Sequence, residues 1–499
     1  MTRPRGLARR ARRGSRHAAL ARVTRSRWYL VPEAAALARA IRPRPRDLPA
    51  LAALVRHGST LAGVGLWAVH RSADHPLLFD DDGAVTGAEL GTAVQRIMAA
   101  IGDPPPRAVA ILGDHRGLVA VIIAAGALGI DLTLLSPRAG DQARRQALAD
   151  DVGVILHDGP LHAPVTATGR TVDVRAALLR PDSVVPRPRK RPAAAALVVH
   201  SSGSTGAPHS RTERSVGWPQ VPTVISLAAA LGARRGEPML VAAPLSHGHG
   251  LSALAAGLLV GAPVLLGASR HGDHGRAAIV DHRVATWVGL PTQLADLMSG
   301  PDSPRLPLRR IVVGSAPTST ALVEQVRAIA GEVLVNYYGT TESGTVTIAR
   351  PADLTADPAT VGRPATGVTL EIQDVTGQIL PRGEVGQVMV CSPWRAAGEH
   401  PWTHTGDRGR LDAAGRLTLA GRGDGTVIVG GHRVNLREVA AWLERQPGVD
   451  RVEVTAVADT RLGEVLHARV AGQVDLADLH ARARAELGDA AAPRELKEW

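Results

Sequence analysis

One cysteine, Cys391, stands in 499 residues. No disulfide can close within the chain, and no cysteine cluster can hold a metal. This composition fits a reducing compartment, so a cytoplasmic location is expected. Lysine is almost as scarce, with Lys190 and Lys497 as the only two. No Gly-Lys-Ser/Thr occurs, which excludes a Walker A loop. No uninterrupted apolar run is long enough to cross a bilayer. The longest, Leu118 to Ile130, reads as a buried helix. No internal repeat of fixed period is present.

Acidic residues are missing from one end. Residues 1–46 hold fourteen arginines and a single acid, Glu33, within a chain whose net charge is +12. The remainder is therefore close to neutral, and the excess charge sits in an N-terminal arm. Charge blocks of this kind usually stay solvated. A peripheral membrane contact is the alternative, because Trp28, Tyr29, Leu30 and Val31 precede an apolar, helix-like stretch, Ala34 to Ile41. A transit peptide is a third reading, weakened by few serines. No nucleic-acid partner is expected, since nothing aromatic beyond Trp28 and Tyr29 interleaves the arginines.

From Leu77 onward the pattern alternates between strands and helices. Leu77 to Asp80 and Ala84 to Thr86 predict a hairpin around Asp82-Gly83. A helix over Gly87 to Ile101 follows, then a strand at Val109 to Leu112, a helix at Gly117 to Leu128, and strands at Leu132 to Leu135 and Val154 to Leu156. This succession predicts an α/β fold of βαβ-type mixed sheets. Arg180 to Pro192 reads as a linker. Gly423-Asp424-Gly425 reads as a hinge to a small C-terminal α+β domain. The expected domains are a basic arm over 1–46, a large body over 47–422 and a C-terminal domain over 423–499.

The most informative segment is Ser201-Ser202-Gly203-Ser204-Thr205-Gly206, which follows an apolar strand, Ala194 to Val199. Glycines let successive N–H groups turn toward one point, and hydroxyls add donors there. Such a nest suits phosphate oxygens, although a surface turn has the same composition. Three further segments follow: Asn336-Tyr337-Tyr338-Gly339-Thr340-Thr341-Glu342, Thr405-Gly406-Asp407, and Gly421-Arg422-Gly423-Asp424 leading to Gly430-Gly431-His432-Arg433-Val434. In this order, from about residue 60 to the C-terminus, the segments resemble the adenylate-forming superfamily of acyl-CoA synthetases, luciferases and peptide-synthetase adenylation domains.

The resemblance implies an ATP-dependent acyl-CoA synthetase that activates a carboxylic acid, of the fatty type, through acyl-AMP to a CoA thioester. An acyl-AMP ligase serving a carrier protein and a nucleotide- or acyl-binding pseudoenzyme are the alternatives. It implies ATP, Mg²⁺ and coenzyme A as cofactors and small molecules as partners. Ser201 to Gly206 and His209 would hold phosphates. Thr205 and Glu342 would organise Mg²⁺, which takes few carboxylates beside phosphate and water. Thr341 would lie near the α-phosphate. Asp407 would accept the ribose hydroxyls, with Arg422 beside it. Gly314-Ser315-Ala316-Pro317 would pack against adenine and the acyl group, and Asn336 to Thr340, which follow an apolar strand at Val333 to Val335, would also bind the nucleotide. Pro244-Leu245-Ser246-His247 resembles a motif whose histidine, His247, lies near the carboxylate. Thr205, His247 and Glu342 are the expected catalytic residues. A metal site on His247 and His249 competes, but no third ligand stands nearby in sequence. His271 and His274 are expected in a polar loop. The aliphatic stretch Leu251 to Leu266 suits either an acyl channel or a packed helix. The Gly430-Gly431 region resembles the segment that approaches the site for thioester formation.

Two departures from the family pattern matter. His209 stands where the phosphate loop has lysine, which removes a fixed positive charge. Arg494-Glu495-Leu496-Lys497-Glu498-Trp499 resembles the strand that enters the family's C-terminal lysine segment, and Lys497 falls upstream of that lysine. Slowed adenylation is the expectation. Acyl identity, the acceptor and oligomeric state do not follow from the residues.

Overall fold

The computed structural model describes residues 41, 47–139, 141–148, 151–160, 170–180, 195–200, 210–213, 216, 219–267, 272–299, 306–340, 343–394, 400–422, 425–459 and 461–499, less the side chains of 49, 141–143, 200, 210–213 and 433. Ser201 to His209, Thr341 and Glu342 lie outside these residues, as do the arm up to residue 40 and Gly423-Asp424 of the expected hinge.

Apolar, β-branched segments build the sheets. Among the described residues there are three, of thirteen, six and five strands. In the six-stranded sheet, Arg170–Asp173, Val154–His157, Arg107–Ile111, Asp131–Leu135 and Leu197–His200 run parallel, and Ser210–Glu213 closes the edge antiparallel. The expected strand at Ala194 to Val199 is thus shifted toward the nest. Residues 201–209 connect the last two strands.

The thirteen-stranded sheet has two halves. Pro76–Asp80, Val264–Leu266, Met239–Val241, Thr286–Gly289, Arg310–Gly314 and Leu334–Thr340 lie side by side and parallel. From Gly344–Ala349 onward the pairing is antiparallel through Thr360–Pro364, Leu417–Arg422, Thr403–Leu411, Gly386–Cys391 and Thr369–Gln373. The hairpin predicted at Asp82-Gly83 pairs Pro76–Asp80 with Gly83–Thr86.

Helices form where the signals predict them. Thr86 caps Gly87–Ile101, and Glu89 returns a bond to the Thr86 backbone, so two orphan donors are satisfied at once. Arg116–Leu128 is apolar around its whole circumference and is buried at nearly every position, as a helix between two sheets must be. The stretch Leu251 to Leu266 is also core. Helix Gly248–Val260 buries His249, Leu251, Ala253, Leu254, Ala256, Leu258 and Val260 in the main cluster. Packing, not a channel, explains its composition. His274 is not in a loop. It lies in helix Gly272–Asp281, whose first turn carries an Asp273–Arg276 ion pair.

The C-terminal part has its own core. Val429, Val434, Val439, Trp442, Leu443, Leu466, Val470 and Leu479 form a separate cluster. Two long antiparallel strands, Val449–Asp459 and Gly463–Gly472, carry it, and Glu495–Glu498 adds to their sheet in parallel.

Candidate active site

Open α/β sheets bind ligands beyond the carboxyl ends of their parallel strands. Three of the singled-out segments leave the thirteen-stranded sheet at that edge. Gly314 ends its strand in register with Tyr337 on the next. A Cβ at Gly314 would lie 3.0 Å from the Tyr337 ring and from its carbonyl oxygen, a tight approach in which the ring or backbone would have to give by a few tenths of an ångström. Ser315 then takes φ +64°, which turns the Ser315-Ala316-Pro317 segment sharply off the sheet.

The third segment follows Met239–Val241. Leu245 donates its N–H to Asp114 Oδ1 at 3.1 Å, and His247 donates its own to Pro244 O at 3.1 Å. This turn places His247 just before helix Gly248–Val260 and His249 inside the helix's first turn. The two histidines therefore diverge. Ser246 Oγ lies 3.1 Å from His247 Nδ1. The His249 ring is buried at 4.9 Å from the Tyr337 ring, and its Nδ1 is 3.5 Å from Ser315 Oγ. Burial pushes His247 down to about 4 and His249 down to about 3, each helped by a neighbouring histidine. Both imidazoles are neutral near pH 7 and can take part only as uncharged donors or acceptors. Asp114 shifts the other way, up to about 6, chiefly because it is removed from water.

Asp407 lies across the sheet on Thr403–Leu411, in register with Arg422. Its two oxygens are engaged. Tyr338 OH donates to Oδ2 at 2.5 Å and Arg422 donates to Oδ1 at 2.8 Å. The Asp407 N–H donates to Thr405 Oγ1 at 3.1 Å, and that hydroxyl donates to Val388 O at 3.1 Å. Burial and the Asp407 charge push the Tyr338 phenol well above its ordinary range, so it remains a donor. Two expected nucleotide segments, around Tyr338 and around Asp407, are thus one hydrogen-bonded cluster. Asn336 is buried on the same strand, and Gly339 and Thr340 continue it; Thr340 Oγ1 accepts from the Ser343 N–H at 3.1 Å.

The C-terminal domain reaches this edge with a glycine turn. Thr426–Val429 and His432–Asn435 form a hairpin closed by Gly430 and Gly431, at φ +57° and +90°. Two successive positive φ values define a type I′ turn, which favours glycine. A Cβ at Gly431 would lie 3.5 Å from Leu290 and 4.0 Å from Ala316. His432 is close enough to His247 for charge on one to disfavour charge on the other. Arg461 binds Asp296 through two bonds of 2.9 and 3.1 Å.

The structure therefore brings together His247, Gly314 to Pro317, Tyr337, Tyr338, Asp407, Arg422 and the Gly430-Gly431 turn. Sequence reasoning missed Asp114 and the place of His249. Asp114 had only the signal of polar residues after a buried strand. His249 was tied to His247 by spacing alone, but His247 precedes the helix and His249 lies inside its first turn, against Tyr337. Lys497 lies on the strand Glu495–Glu498, solvent-exposed and paired to Glu495 at 2.9 Å.

This arrangement has relatives. The AMP-binding enzyme family matches residues 66–398. A feruloyl-CoA synthase of an Amycolatopsis species is 29% identical over 435 residues, covering 81% of this chain and 87% of the relative. An indoleacetate–CoA ligase of Aromatoleum aromaticum is 27% identical over 433 residues, covering 77% and 82%. Among solved structures, the amide bond synthetase McbA of Marinactinospora thermotolerans superposes with a TM-score of 0.75 at 29% identity, covering 87% of this chain and 94% of its own. With a family match over most of its length and the corresponding segments gathered at one sheet edge, the chain belongs to the AMP-binding enzymes.

Proposed function

We propose that the chain is an acid–thiol ligase that activates an aromatic carboxylic acid with ATP and passes the acyl group to coenzyme A. The observation that carries this reading is the seating of the Gly430-Gly431 turn beside Leu290 and Ala316. A turn without side chains at that point would let a thiol approach an acyl group held at this edge. Asp407, with Arg422 and Tyr338, is the proposed ribose seat. A carboxylate among neutral and cationic donors matches a vicinal diol. Gly314 to Pro317 and Tyr337 form the proposed wall against the flat parts of nucleotide and acid, and neutral His247 the proposed neighbour of the carboxylate. Mg²⁺, which neutralises phosphate charge when bound, is assigned to Thr205 and Glu342, and the phosphate contacts to Ser201 through Gly206, Thr341 and His209. The domain boundaries near residues 47 and 423 are part of the same proposal.

The acid is proposed to be aromatic for two reasons. The aliphatic stretch that could have lined an alkyl channel packs as core. The curated relatives above are named for ferulate and indoleacetate.

The test is pyrophosphate release from ATP over a panel of aryl and alkyl acids, with thioester analysis after adding CoA. Aryl-dependent release followed by a CoA thioester is expected. Release that yields product only with an amine or a carrier protein would move the acceptor. No acid-dependent release would leave a binding protein.

A further inference from the structure

The helix Leu48–His57 faces the body with Ala50 and His57, both buried, and turns apolar residues to solvent. Leu48 is 67% exposed, Leu51 49% and Val55 80%. With exposed Ala52 these positions follow the spacing of one helical stripe, about a turn and then two turns apart. Among the described residues no other helix carries more than one exposed large apolar side chain. The helix is fixed to the body at both ends. Asp47 lies 3.5 Å from Arg71, and beyond its last turn Ser59 O accepts from the Val216 N–H at 3.1 Å while Ser59 Oγ donates to Val216 O at 2.5 Å. Its outward face is therefore set by the fold.

A single short apolar stripe binds a membrane weakly, and stable peripheral anchoring takes two signals. The second signal is adjacent in sequence. Residues 1–46 carry fourteen arginines against one acid, while the rest of the chain is close to neutral, and Arg56 sits in the last turn of the helix. Cationic segments beside an apolar face are complementary to anionic headgroups over acyl chains.

We propose that the outer face of Leu48–His57, together with the basic arm, docks this protein on an anionic lipid bilayer. The proposal is independent of the ligase reading, since no proposed site residue lies on this helix.

The experiment is co-sedimentation of the full chain with phosphatidylcholine vesicles, with and without phosphatidylglycerol. The wild type should bind only the anionic vesicles and should release as salt rises. Leu51→Glu with Val55→Glu should weaken that binding about tenfold or more, because two apolar contacts become charged. Since both side chains are exposed, the double variant should melt like the wild type and keep its activity. Wild-type vesicle binding that survives the double substitution would overturn the proposal, leaving only a nonspecific basic arm. A marked loss of thermal stability in the variant would show that the stripe is covered by the chain itself. A change in its mass in solution would assign the face to a second copy. Either result overturns the bilayer assignment.

Discussion

Asp407 is the residue on which most of the nucleotide argument turns. A buried carboxylate held by Tyr338 and Arg422 has a defined geometry. Asp407→Asn should reduce affinity for ATP and AMP together, by about 10- to 100-fold, the effect of losing charge-assisted bonds. Titration calorimetry with both nucleotides checks this, and an unchanged affinity would remove the ribose assignment. Asp114 gives a pH signature. Its folded pKa, about 6, lies above its ordinary value of 3.8. Stability from this group is complete at low pH and is lost as pH rises through about 6. Asp114→Asn should therefore match the wild type near pH 4 and gain on it up to pH 7, by on the order of 2 kcal/mol. Denaturant midpoints at the two pH values measure the difference, and an advantage that does not grow with pH contradicts the assignment. At this scale the sequence was only partly legible. Asp407 and Arg422 were visible in two motifs, but the Asp407 bond to Tyr338 spans 69 residues of chain, and no local pattern encodes it. Asp114 acts through a backbone bond to Leu245, 131 residues on.

Among the elements, the glycine hairpin links domain placement to chemistry. Gly431 at φ +90° tolerates an L side chain poorly, and a Cβ there meets Leu290. Gly431→Ala should leave pyrophosphate exchange within about twofold of wild type and slow CoA thioester formation by about tenfold, since a side chain at φ +90° strains the turn by about 1–2 kcal/mol where it faces Leu290. Equal loss in both assays would place the turn in the adenylation step instead. Elements were more legible than single contacts. The Gly87 to Ile101 helix, the Asp82-Gly83 hairpin and the βαβ succession use short-range signals, and each appears with bounds within about two residues. Helix Gly248–Val260 was ambiguous for a physical reason. Small and aliphatic residues line channels and fill cores alike, and only the surrounding sheet decides between them. The placement of His274 failed because His-Gly-Asp-His-Gly looks like a loop, whereas the Asp273–Arg276 pair supports a helical turn.

At the scale of the molecule there are two unequal cores. The body's clusters span both large sheets, whereas the C-terminal cluster is small and shares no residue with them. Heating should produce two transitions rather than one, because single-domain cooperativity does not extend across separate cores. Saturating ATP should raise the transition of the body by mass action. Differential scanning calorimetry with and without nucleotide tests this, and one sharp transition whose calorimetric and van't Hoff enthalpies agree would refute it. The α/β class and the two-part layout were legible because alternation of elements is a property of the whole sequence. The mutual placement of the parts was not, since it depends on a few contacts with little sequence signature.

Those contacts have a consequence for how the molecule responds to its medium. The C-terminal domain touches the body through glycines, at Gly431 on Leu290 and Gly463 near Pro317, and through a solvent-facing pair, Arg461 with Asp296. Glycines bury little surface, and an exposed ion pair contributes only about 0–1 kcal/mol. That pair is screened as salt rises, the Debye length being about 10 Å at 0.1 M. Ionic strength then acts as a mechanical control, holding the domain down in dilute buffer and loosening it in concentrated salt.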